Sequence, residues 1–525
     1  MRGAILITLA QLVTKVLGAI HRPVAQHFIG DAGLALATPP SNAYYTILAV
    51  SSVGLNVAIS RLVSDRLALE DYRGARKVFQ VAARMLVISG IIFSVLFALG
   101  AHWMAAYQEV PDSWLGFLVL SPALFFVALL CVFRGLYQGM QQMQESALSQ
   151  VVEQVARVSL SLAIIAVVSH NVRWGAAAFN AGNPIGIFLA VCYFVWIYFR
   201  QRPTANWTTV APGVESYENE SVSSLMGKIL AIAAPLAFMG AVLPVMGMVD
   251  TKFVVQQLTA QGVSQNLAEQ AQAWLANAGT LRDLPTILTT AFYISLVPSI
   301  AEAFATDRLD QARYRTATAF RMTLLIGIPA TVGLLVGARD VYGVLYKGTG
   351  YTVLAPLALS TIFMMLQQTA SGALQGMGRI WLSVRNMLIG VVVKIGLTWW
   401  LAGIPSLQER GAALATVACF VVAASLQLWA LREHMGFTLN LRQEALRPLT
   451  ASALMGVAIW ATSSLLHRVL PSPRIAGVLV IGLGGLVYLV ALMAMGGLTM
   501  ADLKVIPGMP AGLADWLQRK RLLRD

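Results

Sequence analysis

Stretches of about twenty apolar residues recur along this chain from end to end, and each is long enough to cross a bilayer. They place helices at roughly 3–30, 41–63, 83–107, 114–137, 149–169, 175–199, 226–256, 284–304, 317–338, 351–376, 383–404, 410–431, 447–467 and 475–497. The chain is 57% hydrophobic and 12% charged over 525 residues. A soluble domain carries about 25% charged residues, and single soluble cores stop growing near about 300 residues. The fold class expected is therefore all-α integral membrane, with about fourteen transmembrane helices. Met1-Arg2 turns apolar at once and no small-residue cleavage site follows, so the first helix reads as retained.

The links between the runs alternate in basic content. One set holds 25 lysines and arginines, from Arg2 through Arg61, Arg66, Arg73, Arg76 and Lys77 to Arg519 and Arg524. The other holds seven: Arg173, Arg282, Arg339, Lys347, Arg410, Arg468 and Arg474. Basic loops stay on the cytoplasmic side, which places the first set and both termini there. The formal charge of +13 thus reads as membrane topology, and no nucleic acid is expected as a partner. Cys131, Cys192 and Cys419 lie inside apolar runs without disulfide or metal spacing, so no metal is expected.

Five basic residues fall inside the spans: Lys15, Arg22, Arg157, Lys252 and Lys394. A charge at bilayer depth costs at least about 2.5–3.5 kcal/mol, and it faces a bundle interior or a wet cavity. Snorkelling to the headgroups would account for Lys252 and Arg22 but poorly for Lys15 and Lys394, which sit near mid-span. Lys15 and Arg22 are two helical turns apart and share a face. Glu153 and Arg157 stand at i,i+4, either as an internal ion pair or as part of a substrate site. Arg282 has Asp283 beside it. Arg61 sits near the cytoplasmic end of the second helix, where substrate or anionic lipid could meet it. Asp250 is the acid best placed to bind H⁺ or Na⁺, or else to pair with Lys252.

Residues 135–160 and 372–397 match at an offset of 237. Gly135, Gln138, Gly139 and Met140 align with Gly372, Gln375, Gly376 and Met377, and Arg157 aligns with Lys394. The same register aligns Ala75-Arg76 with Ala312-Arg313. Six helices therefore repeat, and an even number makes the two copies parallel. The division expected is 1–202 for an N-terminal six-helix lobe, 203–223 for a cytoplasmic linker and 224–432 for a C-terminal lobe. Residues 433–498 then hold helices 13 and 14, and 499–525 a basic amphipathic tail. Val263, Leu267, Ala271 and Trp274 suggest a short helix on the outer membrane surface.

Local motifs narrow the reading. Helix 1 reads Thr14-Lys15-Val16-Leu17-Gly18-Ala19-Ile20-His21-Arg22-Pro23, and helix 5 opens Ser149-Gln150-Val151-Val152-Glu153-Gln154. Helix 8 reads Leu284-Pro285-Thr286-Ile287 and ends Leu296-Val297-Pro298-Ser299-Ile300. With two six-helix lobes and an extra helix pair, the chain resembles the multidrug/oligosaccharidyl-lipid/polysaccharide (MOP) exporter superfamily. Within it the chain looks like the SpoVB-like branch, related to the MurJ-type lipid II flippases. The resemblance implies a MATE-like fold. It also implies outward flipping of an undecaprenyl-diphosphate-linked saccharide, lipid II first among them, in a bacterial cytoplasmic membrane. A cationic cavity would hold the diphosphate, with Lys15, Arg22, Arg61, Arg157, Arg282 and Lys394 as its candidates, and helices 13 and 14 would form a groove for the lipid tail. The partners implied are the lipid-linked oligosaccharide, membrane lipids and proteins of cell-wall synthesis, with the chain itself a monomer. His21 stands where the MurJ-type pattern has an arginine.

Arg suits phosphate because its planar fork donates two parallel hydrogen bonds. No Walker A loop, dinucleotide fingerprint or His-Glu-x-x-His pair is present, so no cofactor is expected and an ion gradient or the membrane potential must drive transport. Three other functions compete: a drug/cation antiporter, which needs cavity acids this chain lacks; a flippase for another lipid-linked glycan; and a polytopic glycosyltransferase, which needs an external acidic motif.

Overall fold

A computed structural model describes residues 2–49, 54–201, 207, 210, 217–439, 441–470 and 472–497. Among them every regular element is helical, apart from one isolated antiparallel bridge between Asp71 and Val210. Hydrocarbon offers no water to backbone N–H and C=O groups, so a helix that closes its own hydrogen bonds is the solution available to each apolar run. Packed neighbours re-satisfy groups freed by proline, which is why Pro122, Pro184, Pro244 and Pro329 sit inside helices.

The chain divides into two compact units, Met1–Ala273 and Trp274–Asp525. The first holds α1 (Arg2–Leu48), α2 (Gly54–Ala68), α3 (Tyr72–Leu99), α4 (Ala101–Tyr107), α5 (Trp114–Gly139), α6 (Met143–Val168), α7 (Val172–Gln201), α8 (Val222–Ala260) and the start of α9 (Gln265–Asp283). Its core gathers Leu86, Phe97, Phe117, Leu120, Tyr137 and Phe194. Gly30 breaks α1 into two arms with φ +66° and ψ −173°, a conformation that costs glycine little. Across the break Arg22 donates to Thr38 Oγ1 at 2.9 Å and Gln26 to Asp31 Oδ1 at 2.5 Å. α8 packs on α1 and α2 at two glycines. A Cβ on Gly54 would stand 2.2 Å from Ala233 O, and one on Gly247 2.8 Å from the Asn42 side chain.

The second unit holds the end of α9, then α10 (Thr286–Ala305), α11 (Leu309–Val336), α12 (Ala338–Leu345), α13 (Tyr351–Ala358), α14 (Ser360–Gly376), α15 (Ile380–Ala402), α16 (Glu409–Met435), α17 (Leu441–Val469) and α18 (Pro473–Ala494). Ile300, Phe320, Leu366, Leu374 and Phe437 form one core. α17 and α18 join α11 through Met322, Met455, Ile459 and Tyr488, whose hydroxyl donates to Leu325 O at 2.7 Å.

The sequence repeat is carried into atomic detail. α3 and α11 begin at 72 and 309, α6 and α15 at 143 and 380, and α7 and α16 at 172 and 409. α5 covers 114–139 and the α13–α14 pair covers 351–376. All four keep the offset of 237. So do the left-handed turn residues Glu70 and Asp307, with φ of 55° and 54°, and Gln141 and Gly378. A Cβ on Gly139 would meet Val63 and Ser60 O at 2.8 and 2.9 Å. One on Gly376 would meet Ile300 and Val297 O, both at 2.8 Å, which are the same partners shifted by the same offset.

Ten described helices are long and apolar enough to cross a membrane, and α13–α14 adds an eleventh as a pair bent by 45°. Exposed Ile88, Ile92 and Leu96 on α3 and Leu486, Leu489 and Val490 on α18 present apolar faces suited to lipid. The chain is a multi-pass membrane protein. The described residues of the fourteen expected stretches lie mainly on helix, those of the first two in α1 and α2 and those of the eighth on α10. The total of fourteen stays an expectation. α9 is a helix, and its expected face of Val263, Leu267, Ala271 and Trp274 is mixed, with Leu267 exposed, Ala271 buried and the other two half-buried. The amphipathic tail expected at 499–525 lies outside the described residues.

Candidate cationic binding site

In the first unit the intramembrane cations meet polar side chains of α1, α6 and α7. Gly182 and Gly186 bring α7 against α6, since a Cβ on either would stand 2.5 Å from the carbonyl of Arg157 or Glu153. Arg157 then reaches across: its Nη1 donates to Tyr45 OH at 3.1 Å and Asn183 Oδ1 at 3.3 Å. Its Nε is buried without a partner, as is Nε2 of neighbouring Gln154. Both side chains border Gly18, whose missing Cβ would lie 3.3 Å from Gln154 Nε2 and 3.5 Å from Arg157 Nη2. One turn on, His21 stacks on Phe179 at 4.5 Å and its Nε2 lies 3.0 Å from Ser161 Oγ. Arg22, half-buried, bonds the opposite arm of α1 at Thr38. Buried donors nearly always find partners, so two orphans beside a glycine on this face fit an acceptor-rich ligand.

In the second unit two buried cations converge on α16. Lys394 of α15 is 0% exposed and its Nζ donates to Thr416 Oγ1 at 2.5 Å. Arg282, at the end of α9, is 7% exposed and grips Asp283 Oδ1 through Nε and Nη2 at 2.9 and 2.7 Å. Its guanidinium lies 5.7 Å from the Phe420 ring. Thr416 and Phe420 are one turn apart on the same face of α16, which brings Lys394 and Arg282 to one neighbourhood.

The other candidates lie elsewhere. Glu153 accepts from Arg134 of α5 at 2.8 Å instead of pairing along its own helix with Arg157. Arg61 is largely exposed, 4.0 Å from Asp65. Lys252 Nζ sits 3.5 Å over the Tyr107 ring, and Asp250 is half-buried on α8. The Lys15 side chain is outside the described residues. Among the described residues no group of three or more His, Cys, Asp or Glu is placed to hold a metal.

Apolar helices carrying buried arginine and lysine in two repeated halves narrow the kinship, and residues 1–304 match the family described as polysaccharide biosynthesis protein. The chain belongs to that family. It is 27% identical over 456 residues to stage V sporulation protein B of Bacillus subtilis (strain 168), covering 85% of this chain and 86% of the relative. It is 26% identical over 486 residues to the lipid II flippase MurJ of the same organism, covering 87% of each. Among solved structures, MurJ in an inward closed conformation superposes with a TM-score of 0.66 at 15% identity, over 94% of this chain and 98% of that one. An inward-facing multidrug resistance MATE transporter of the MOP superfamily gives 0.66 at 14% identity, over 82% and 98%. At those identities the structures establish the MATE-like fold.

The spacing in the sequence pointed to Arg157, Arg282 and Lys394 but not to Tyr45, Gln154 and Asn183, nor to Asn180, which accepts from Ser41 Oγ at 2.7 Å and donates to Ala37 O at 3.1 Å. Asn180 and Asn183 were findable: two amides at i,i+3 inside an apolar run are expensive and mark an interior face. Asp340, 3% exposed, was missed as well; it accepts from Ser463 Oγ at 2.9 Å and His467 Nε2 at 2.7 Å and so ties α12 to α17.

Proposed function

We propose that this protein is a flippase rather than an enzyme, moving an undecaprenyl-diphosphate-linked saccharide from the cytoplasmic to the outer leaflet by alternating access, with lipid II as the substrate. The observation that carries the reading is the pair of orphaned buried donors, Arg157 Nε and Gln154 Nε2, beside Gly18. A diphosphate offers the acceptors they lack, and the fork of Arg157 suits phosphate geometry. Arg22 adds positive charge in the same unit, and Arg282 and Lys394 form a second cationic cluster within the other unit. The similarity to a lipid II flippase supports the same substrate class.

The prenyl tail needs an apolar path. A groove of about 480 Å³ runs between α11, α12, α17 and α18, lined by Leu284, Pro329, Gly333, Met455, Val480 and Tyr488. It suits an isoprenoid chain held beside the protein while the headgroup crosses. The arginine-rich links and both termini lie in the cytoplasm in this scheme, and the membrane is the bacterial plasma membrane.

The test is complementation of a strain depleted of its lipid II flippase. Wild-type protein restores growth, and the Arg22→Ala, Arg157→Ala double variant, present in the membrane at wild-type level, does not. Growth with the double variant would remove the proposed site; failure of the wild type would point to a different lipid-linked glycan.

A further inference from the structure

The segment joining α7 to α8 is bound to the α2–α3 turn at two levels. The inner level is buried. Arg66 pairs with Glu220 at 3.0 Å and lies 3.4 Å over the Tyr217 ring. Glu220 also receives Lys228 Nζ at 2.6 Å and Ser224 Oγ at 2.9 Å. Asp71, 0% exposed, accepts Gly74 N at the start of α3 and Tyr217 N from the linker, at 2.9 and 3.0 Å. Burial pushes the Glu220 carboxyl up, but the bonds from Lys228 and Ser224 and the charges of Lys228 and Arg66 outweigh it and hold the group below its ordinary value.

The outer level is exposed and weaker. Arg73 meets Glu218 at 3.2 Å with both side chains half in solvent, and Lys77 Nζ donates to Glu218 O. Next to this pair opens a cleft of about 610 Å³ lined by Arg73, Arg76, Lys77 and Gln80 of α3, with Trp207 and Glu218 opposite. Three cations face one carboxylate. Arg76 is exposed and has no hydrogen-bond or ion-pair partner among the described residues. The volume of the cleft takes one headgroup-sized ligand.

We propose that this cleft binds a phosphate-bearing ligand, a lipid headgroup or a soluble phosphate compound, which competes with Glu218 for Arg73 and Lys77. An exposed arginine–carboxylate pair contributes little, whereas a phosphate offers more acceptors and engages guanidinium in parallel bonds. Occupancy therefore releases the outer tie of the linker and leaves the buried Arg66–Glu220 tie in place. The site is separate from the intramembrane cations, so its failure leaves the flippase reading untouched.

Two probes applied to the full-length detergent-purified protein distinguish the sources: inorganic pyrophosphate by calorimetry, and phosphatidylglycerol retained from mixed vesicles with phosphatidylcholine, counted by native mass spectrometry. At least one should bind, with Arg76→Ala weakening it about tenfold, the loss of one charge-assisted contact, and Glu218→Gln tightening it severalfold. Pyrophosphate binding identifies a soluble phosphate as sufficient; retention of the lipid alone identifies the headgroup. Binding of neither probe, or binding indifferent to Arg76→Ala, overturns the site. Binding that responds to Arg76→Ala but ignores Glu218→Gln overturns the competition.

Discussion

Gly18 leaves room for the Gln154 and Arg157 side chains, each of which keeps a buried donor without a partner, so a glycine shapes the proposed site as much as its cations do. Arg282 and Lys394 separate charge from fold more cleanly. Lys394→Met keeps the buried volume and removes the charge. Taking a charge out of water is costly, and the methionine carries no such cost. The expected outcome is an unchanged or higher melting temperature together with lost flipping; a melting temperature that collapses would make Lys394 a structural residue only. Arg282→Ala should be severe and Arg282→Lys a partial rescue, because lysine keeps the charge but loses the two-pronged geometry now spent on Asp283. Both are read by complementation at matched membrane levels. Glu153 and Arg157 have the spacing of an intrahelical pair, yet Arg134 on α5 takes the carboxylate and frees Arg157 to reach Tyr45 and Asn183.

Close approach of helices rests on glycine at particular places. Gly139 and Gly376 occupy matching sites on α5 and α14, each against a β-branched side chain and a carbonyl. Gly139→Ala and Gly376→Ala should each destabilise by about 1–3 kcal/mol, the cost of overpacking. Gly396→Ala is the control, since a Cβ there meets nothing within 4 Å. Thermal unfolding in detergent separates them, and equal shifts for all three would refute the packing account. The linker gives a pH prediction. A carboxylate whose folded pKa is depressed contributes stability that is present above its unfolded value of about 4.5 and is lost as pH falls through the folded value. The stability advantage of wild type over Glu220→Gln should therefore hold from pH 7 down to about 4.5 and shrink below it. A difference that instead faded above pH 5 would contradict the Lys228 and Arg66 contacts.

Orientation and energy source belong to the whole molecule. With the native cysteines replaced, Asn266→Cys on the exposed part of α9 should label from outside the cell and Arg379→Cys should not. The reverse result would invert the proposed topology. An empty cationic site is positive, whereas one holding a diphosphate of about two negative charges is nearly neutral. An inside-negative potential therefore favours resetting the empty protein inward and costs the loaded form little. If the proposed cycle moves a diphosphate, it carries roughly two negative charges outward, an upper bound of about 5 kcal/mol at 100 mV. In proteoliposomes, potassium with valinomycin should drive flipping without any pH or sodium gradient. If only an ion gradient drives it, Asp250 becomes the residue to mutate.

The helical class, the 237-residue offset that relates four helix pairs and the presence of charge inside the spans were all legible in the sequence. Hydrocarbon forces each apolar run to close its own hydrogen bonds, and a repeated fold needs a repeated pattern, so both facts are written locally. The same locality hid the site. Whether Arg157 meets Glu153, or Asn183 on a helix 26 residues away, depends on how closely α6 and α7 approach. That approach depends on Gly182 and Gly186 fitting against α6 carbonyls. Likewise, nothing in the linker's composition told that Glu220 would be buried against Arg66, 154 residues earlier. Such pairings join groups distant along the chain, and only the packed tertiary structure brings them within bonding distance.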